Sequence, residues 1–210
     1  MEWTQIPLGP VQTNCYILTK EDSSCLIVDP GGEGEKLINF LRERDLKPVG
    51  IMLTHAHFDH IGAVDSIREE YKVQACVHVN EKDWLTSSEL NCSDFMKFGK
   101  VQVREADTTI SGEQELTMGS FTFQVFETPG HSPGSVSLYF EDDGIVLSGD
   151  ALFNGSIGRT DLPGSNHEDL MKSIHEKLLR LPEETVVLCG HGPVTTIGKE
   201  MASNPFLHGL

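Results

Sequence analysis

The sequence predicts one α/β domain of layered sheet and helix, and three features predict it. Short apolar runs of strand length alternate with stretches whose apolar residues recur at helical spacing. Several of those runs end on a histidine or an aspartate, and side chains at strand ends are how layered sheet enzymes assemble their sites. At 210 residues, 38% of them hydrophobic and 23% charged, the chain is long enough for one sizeable core and has no stretch composed like a linker. A single domain over residues 1–210 is therefore expected.

In chain order, strands are expected near residues 3–8, 14–19 and 25–28, with a hairpin turn at Glu21-Asp22-Ser23-Ser24. Asp29-Pro30-Gly31-Gly32 stops the third strand and leads into a helix over 33–44 that buries Leu37, Ile38 and Leu41. Asp29 reads as ordinary turn chemistry before Pro-Gly, with a supporting role behind a site as the alternative. A short apolar run, 50–54, suits a buried strand, and residues 59–71 carry a helical pattern through Ile61, Val64 and Ile67. A strand over 73–77 and a short helix over 81–85 follow. His78 stands alone at the strand's end, which reads as a structural hydrogen-bonder rather than a ligand.

Residues 86–99 have no firm period and suit either a mobile flap or a covering loop. Beyond them the chain turns strand-like over 101–103, 115–118, 121–126, 135–140 and 144–147, with Phe121, Phe123 and Val125 alternating as a half-buried strand does. Ser165 and Glu168 match a capping box for the last long helix, whose Leu170, Ile174 and Leu178 make a buried stripe and leave His167 and His175 on the surface.

The chemistry concentrates in Thr54-His55-Ala56-His57-Phe58-Asp59-His60-Ile61-Gly62, on a strand-to-helix turn. Side chains two residues apart in an extended turn point the same way, so His55, His57 and Asp59 can converge while His60 swings aside. One ion cannot easily take all four. The pattern suggests two adjacent ions, one on His55 and His57 and the other on Asp59 and His60, each needing ligands from elsewhere. Three further positions share one grammar, a rigid or apolar segment that delivers one donor. They are His131 in Thr128-Pro129-Gly130-His131-Ser132-Pro133-Gly134, Asp150 after Leu147-Ser148-Gly149, and His191 after Val187-Leu188-Cys189-Gly190.

A net charge of −16 argues against a nucleic-acid partner, whose phosphates demand lysine and arginine, although bound cations could still make one cleft attractive to an anionic small molecule. The five cysteines are odd in number, scattered, and read as buried small hydrophobes rather than a disulfide framework. No apolar run approaches the roughly 18 residues of a membrane span, and Met1-Glu2-Trp3-Thr4 begins nothing like a signal peptide. A cytoplasmic protein with no membrane partner is expected. The oligomeric state is not legible.

The histidine cluster followed by His131, Asp150 and His191 resembles the metallo-β-lactamase superfamily. Gly9-Pro10-Val11-Gln12-Thr13-Asn14-Cys15-Tyr16, Asp29-Pro30-Gly31-Gly32, the stretch Gly155-Ser156-Ile157-Gly158-Arg159-Thr160-Asp161-Leu162-Pro163-Gly164 and Gly190-His191-Gly192-Pro193 are similar to its short glyoxalase II-like branch. The resemblance implies a four-layer αβ/βα sandwich. It implies that His55, His57 and His131 bind one ion, Asp59, His60 and His191 a second, and that Asp150 bridges both. Two divalent ions are then the cofactors, zinc in first place with iron(II) or manganese as alternatives. The implied reaction is hydrolysis of an anionic thioester such as S-lactoylglutathione by a metal-activated hydroxide, with Asp59 orienting the nucleophile.

Glyoxalase II enzymes carry a helical C-terminal domain that contacts glutathione, and here only 19 residues follow His191. Arg159 is therefore the candidate anion anchor, the alternative being a structural arginine held by Asp161 or by backbone carbonyls. A persulfide dioxygenase using one iron on the same fold is the second functional reading, and a non-catalytic metal-binding module the third.

Overall fold

The computed structural model describes residues 1–96 and 99–207. They pack as two compact units, one of Met1–Ser111 with Thr117–Phe121, the other of Gly112–Leu116 with Thr122–Leu210.

In the first unit β1 (Glu2–Leu8), β2 (Thr13–Thr19) and β3 (Ser24–Val28) form an antiparallel meander, followed by α1 (Gly34–Glu43) and β4 (Lys47–Met52). Two short helices, α2 (Phe58–Ile61) and α3 (Val64–Tyr71), lead to β5 (Ala75–His78). A 3-10 turn over Val79–Trp84, a short α4 (Ser93–Met96) and β6 (Thr108–Ile110) complete it. The six strands make one sheet in sequence order, and β3, β4, β5 and β6 run parallel. Parallel neighbours end at one edge, so whatever follows β3, β4 and β5 gathers there. Leu37 and Leu41 of α1 and Val64 and Ile67 of α3 are wholly buried in the same core as Ile27, Ile51 and Val77.

The helix expected over 59–71 is two helices. Ala63 N–H donates to Pro30 O at 2.8 Å instead of continuing α2, so the chain restarts at Val64. Residues 101–103, expected as a strand, are irregular: Val103 N–H donates to Leu85 O at 2.8 Å and its side chain joins the core. The edge beside β5 belongs to Thr108–Ile110, paired from Cys76↔Thr108 to His78↔Ile110.

The second unit's sheet runs β14-β13-β10-β9-β8-β7. Its strands are β7 (Gln114–Met118), β8 (Phe121–Glu127), β9 (Val136–Phe140) and β10 (Ile145–Gly149), then β13 (Val186–Cys189) and β14 (Thr195–Thr196). A small hairpin of β11 (Leu152–Phe153) and β12 (Ser156–Ile157), then α5 (His167–Glu176), lie between β10 and β13, and α6 (Ile197–Ser203) follows β14. Leu170, Ile174 and Leu178 are fully buried against Val146, Val187 and Ile197. Truncating one such leucine to alanine costs about 2–5 kcal/mol. The cap of α5 is Asn166, whose side chain accepts from Asp169 N–H at 3.1 Å; Ser165 Oγ instead donates to Leu162 O. His167 and His175 are exposed, as the stripe requires. The β11–β12 hairpin and β14 were not legible in the sequence, because two-residue strands carry no periodicity, and α6 spans only seven residues, too few to show a helical period clearly.

All five cysteines are buried thiols. Among the described residues no helix is long and apolar enough to cross a membrane.

Candidate metal centre

The first donor set sits just beyond β4. Residues 53–57 are irregular with a bend at Thr54, His57 is extended, and Asp59 and His60 lie in α2. His55 and His57 rings stand 4.8 Å apart at right angles. His60 does not swing aside as expected: its helical position brings its ring to 4.0 Å from that of His55. His60 Nε2 lies 3.5 Å from Asp59 Oδ2, and Thr13 Oγ1 donates to that same oxygen at 2.6 Å.

What holds this turn is Asp29. The parallel pairing Val28↔Met52 places it beside Thr54. Its Oδ1 accepts from Thr54 N–H at 2.8 Å, and its Oδ2 accepts from Thr54 Oγ1 at 2.6 Å and from His60 Nδ1 at 2.9 Å. Because the Thr54 hydroxyl hydrogen goes to Asp29, its oxygen accepts from His55 Nδ1 at 3.2 Å. One buried carboxylate thus orients two imidazoles, each with Nδ1 engaged behind and Nε2 left as the donor atom. The turn-residue reading of Asp29 is corrected. Its φ of 52° is a conformation aspartate tolerates, and the signal available in the sequence was its place at the end of a strand parallel to β4. The peptide then passes very close to α2, for a Cβ on Gly31 would lie 1.8 Å from Asp59 O.

His78 is buried and caps the 3-10 turn, its Nδ1 accepting from Asn80 N–H at 3.3 Å, in keeping with a structural role. The segment after it is anchored by wholly buried Asn91, whose Nδ2 donates to Trp84 O at 3.1 Å and to Val101 O at 2.8 Å. Lys97 and Phe98 of the expected flap or covering loop lie outside the described residues.

The second donor set comes from three separate places. β10 and β13 are parallel neighbours, so Asp150 and His191 emerge side by side, with Gly190 N–H donating to Gly149 O at 2.8 Å. Asp150 Oδ2 lies 3.5 Å from His191 Nε2 and 3.5 Å from His131 Nε2. His131, on the loop after β8, donates from Nδ1 to Arg159 O at 2.9 Å, which again leaves Nε2 as the donor atom. A Cβ on Gly190 would lie 2.1 Å from Asp150 Oδ1, so only glycine lets the carboxylate stand there. His191, with its ring edge-on to Phe153 at 6.1 Å, has 29% of its side chain exposed against 4% for His131 and 10% for Asp150. His191 is therefore the donor of this set most open to solvent.

The loop beyond is held from α6. Wholly buried Glu200 accepts from Gly155 N–H at 2.8 Å and Asn204 Nδ2 at 2.8 Å, and from Thr195 Oγ1. Arg159 lies in a bidentate pair with Asp161, Nε to Oδ1 at 2.7 Å and Nη2 to Oδ2 at 2.8 Å. That hydrogen bond first, then the guanidinium charge, holds the Asp161 carboxyl below the usual range.

Among the described residues, the groups of histidine, cysteine, aspartate and glutamate able to hold a metal ion are made of His55, His57, Asp59, His60, His131, Asp150 and His191 and of no others. Imidazole and carboxylate donors of this kind fit a divalent transition metal.

The family model of the metallo-beta-lactamase superfamily matches residues 8–191. The probable metallo-hydrolase YqgX of Bacillus subtilis is 52% identical over 210 residues, spanning 100% of this chain and 99% of that protein. The hydroxyacylglutathione hydrolase GloC of Haemophilus influenzae is 37% identical over 206 residues, 97% of this chain and 96% of its own. Among solved structures, BLEG-1 B3 metallo-beta-lactamase superposes with a TM-score of 0.97 at 51% identity, covering 99% of this chain and 100% of its own.

Proposed function

We propose, from the premise that this chain belongs to the metallo-beta-lactamase superfamily and is a metallo-hydrolase with its fold, that it is a dinuclear thioester hydrolase acting on an anionic substrate such as S-lactoylglutathione. In this reading both donor sets serve one centre within a single domain. His55, His57 and His131 take one ion, Asp59, His60 and His191 the other, and Asp150 serves both. All seven assigned ligands, and no other described residues, make up the groups able to hold a metal ion, which supports the assignment. Zinc is the metal proposed, with iron(II) or manganese suiting the same donors.

The observation that carries the reading is the fixed tautomer of His55, His60 and His131. Each Nδ1 is engaged by a carboxylate, a hydroxyl or a carbonyl, so each Nε2 lone pair is committed to one direction. When bound, divalent ions supply a water acidified toward neutrality and a Lewis acid for the substrate carbonyl. Asp59, its Oδ2 steadied by Thr13, orients the attacking water. A thiolate is a good leaving group, so no acid need protonate it. Arg159 is proposed to receive the substrate's negative end while its fork with Asp161 keeps the guanidinium in place. Five buried thiols suit a reducing compartment, and a cytoplasmic location belongs to the same proposal.

Likeness to BLEG-1 B3 metallo-beta-lactamase supports a second reading, hydrolysis of a cyclic amide, on the same centre. The deciding experiment measures metal content and then kcat/KM for S-lactoylglutathione and for a chromogenic β-lactam, on protein reloaded separately with zinc, manganese and iron(II). Two ions per chain and a thioester preference of at least about 100-fold, some 2.7 kcal/mol of transition-state discrimination, are expected. A reversed ratio overturns the thioester reading, and oxygen uptake on a glutathione persulfide with one iron per chain overturns hydrolysis.

A further inference from the structure

We infer that Glu81 is a positioning residue for the histidine turn, acting through the peptide between His55 and His57 rather than by touching substrate. The inference rests on the metal reading of that turn. Glu81 is fully buried on the 3-10 turn that follows β5, and its Oε2 accepts from Ala56 N–H at 2.6 Å. Three residues on, the same turn lays Trp84 against His57, ring centroids 5.5 Å apart and planes tilted by 40°. On the other side of His57, Phe58 N–H donates to Asn91 O at 3.0 Å, and Asn91 Nδ2 in turn donates to Trp84 O. His57 is thus flanked by two anchored amides and backed by an indole, all supplied by residues 81–91.

The need for such a clamp follows from the geometry. Residues 53–57 belong to neither β4 nor α2, so no helix or ladder hydrogen bond fixes the Ala56 amide. Asp29 orients His55 and His60 through their rings. Glu81 acts on the backbone before His57. A carboxylate is costly to bury, and accepting a backbone N–H in a charge-assisted bond offsets part of that cost while aiming the peptide. Glu81 therefore sets the direction from which His57 presents its ring. This assigns the segment after His78 a task that neither a flap nor a simple cover would have.

The test uses full-length protein stripped of metal and reloaded with cobalt(II), whose absorption bands report ligand geometry. Affinity is read by competition with a chromophoric chelator, and folding by circular dichroism. Glu81→Leu should bind cobalt about tenfold more weakly with shifted bands, as outer-shell losses do. Glu81→Gln keeps an acceptor oxygen in place and should stay within about twofold of wild type. Trp84→Leu should also shift the bands. A folded Glu81→Leu with wild-type affinity and spectrum overturns the inference. So does failure of Glu81→Leu to fold when Glu81→Gln and Trp84→Leu behave as wild type, because the residue is then only a folding element. Wild-type protein that takes up no cobalt overturns the metal reading itself, whereas uptake unchanged by these variants overturns the clamp alone.

Discussion

The two donor sets are built on opposite plans. In the first unit four donors fall within six consecutive residues, and side chains hold them: Asp29 and Thr54 behind His55 and His60, Thr13 behind Asp59. In the second unit three donors arrive from three distant segments and the backbone holds them. The Arg159 carbonyl fixes His131, and the paired ends of β10 and β13 bring Asp150 to His191. Local donors need a local network to hold an irregular turn. Dispersed donors need the sheet's register and glycines that let strands close on them. The first set should therefore be vulnerable to loss of hydrogen-bond partners, and the second to added bulk.

The largest effect should come from the shared carboxylate. Asp150→Ala is expected to lose metal and activity together, by at least about 100-fold in kcat/KM, since even outer-shell losses reach 10–100-fold. The loss should show in metal content and kcat/KM more than in the Tm of the apoprotein, because Asp150 Oδ2 stands 3.5 Å from His131 Nε2 and 3.5 Å from His191 Nε2, where a shared ligand would. Retained activity with two bound ions would overturn the bridging role.

Asp29→Ala should do the opposite in the apoprotein. It strips the acceptor from Thr54 N–H, Thr54 Oγ1 and His60 Nδ1, all buried, at about 1–3 kcal/mol for each group left unsatisfied. Denaturant titration of metal-stripped protein should show a loss of about 3 kcal/mol or more, near the top of the range for single substitutions. An unchanged midpoint would mean the network does not hold the turn. Gly190→Ala tests the second plan. Its Cβ would sit 2.1 Å from Asp150 Oδ1, so the carboxylate or the strand ends must move, at about 1–3 kcal/mol, with metal affinity falling alongside. Gly192→Ala, with nothing within 4 Å of the added Cβ but a φ of 73°, should cost only its backbone strain and leave metal affinity unchanged; an equal fall in metal affinity there would mean that bulk against Asp150 is not what Gly190 avoids. Smaller again, Arg159→Ala should raise KM for the anionic thioester about tenfold with metal content intact, a single charge-assisted contact being worth about 1.5–3 kcal/mol at most. Loss of metal would instead mark the arginine as a prop for His131.

How much of this was legible follows the same divide. The first set announced itself because four donors in six residues are improbable by chance and sit between a strand and a helix. The second was legible only as grammar, a donor at the end of an apolar or rigid segment, because its proximity comes from β10 and β13 being parallel neighbours. Asp29 was misread because a turn aspartate before Pro-Gly looks the same whether or not a strand beside it presents Thr54. His60 was misplaced because the extended turn was carried too far: the helix starts at Phe58 and rotates His60 back beside His55. Glu81 and Glu200 gave no signal at all, since a buried glutamate that accepts backbone hydrogen bonds looks like any charged residue in a polar stretch. Asn166, not Ser165, caps α5, an error of one residue within a run in which both can cap.

The smallest effect probes the two sheets directly. Burial pushes the Cys25 thiol on β3 up to about 12, and burial, outweighing the hydrogen bonds that lower it, does the same for Cys189 on β13. A thiol whose pKa is raised in the folded state stays protonated there while the unfolded chain ionises near its ordinary value of about 9. The unfolded state therefore binds fewer protons above that value, and stability must fall as pH rises from about 9 toward 12, by at most about 1.4 kcal/mol per pH unit per thiol. Below pH 8 the contribution is complete and flat. Replacing Cys25 with alanine should remove its own share of the alkaline slope and leave in place the shares of Cys189 and of Cys15 and Cys76, which burial also raises, and replacing Cys189 should do the converse. Both thiols should resist alkylation in the native protein, and their labelling rates read the opening of each sheet separately. Both thiols lie beside a shift of register, Cys25 where the β3–β4 pairing shifts between Cys25 and Leu26 and Cys189 where the β10–β13 pairing shifts between Leu147 and Gly149. Labelling at comparable rates is therefore expected; a difference of more than about tenfold, some 1.4 kcal/mol of opening free energy, would mean that the two register shifts do not weaken their sheets alike.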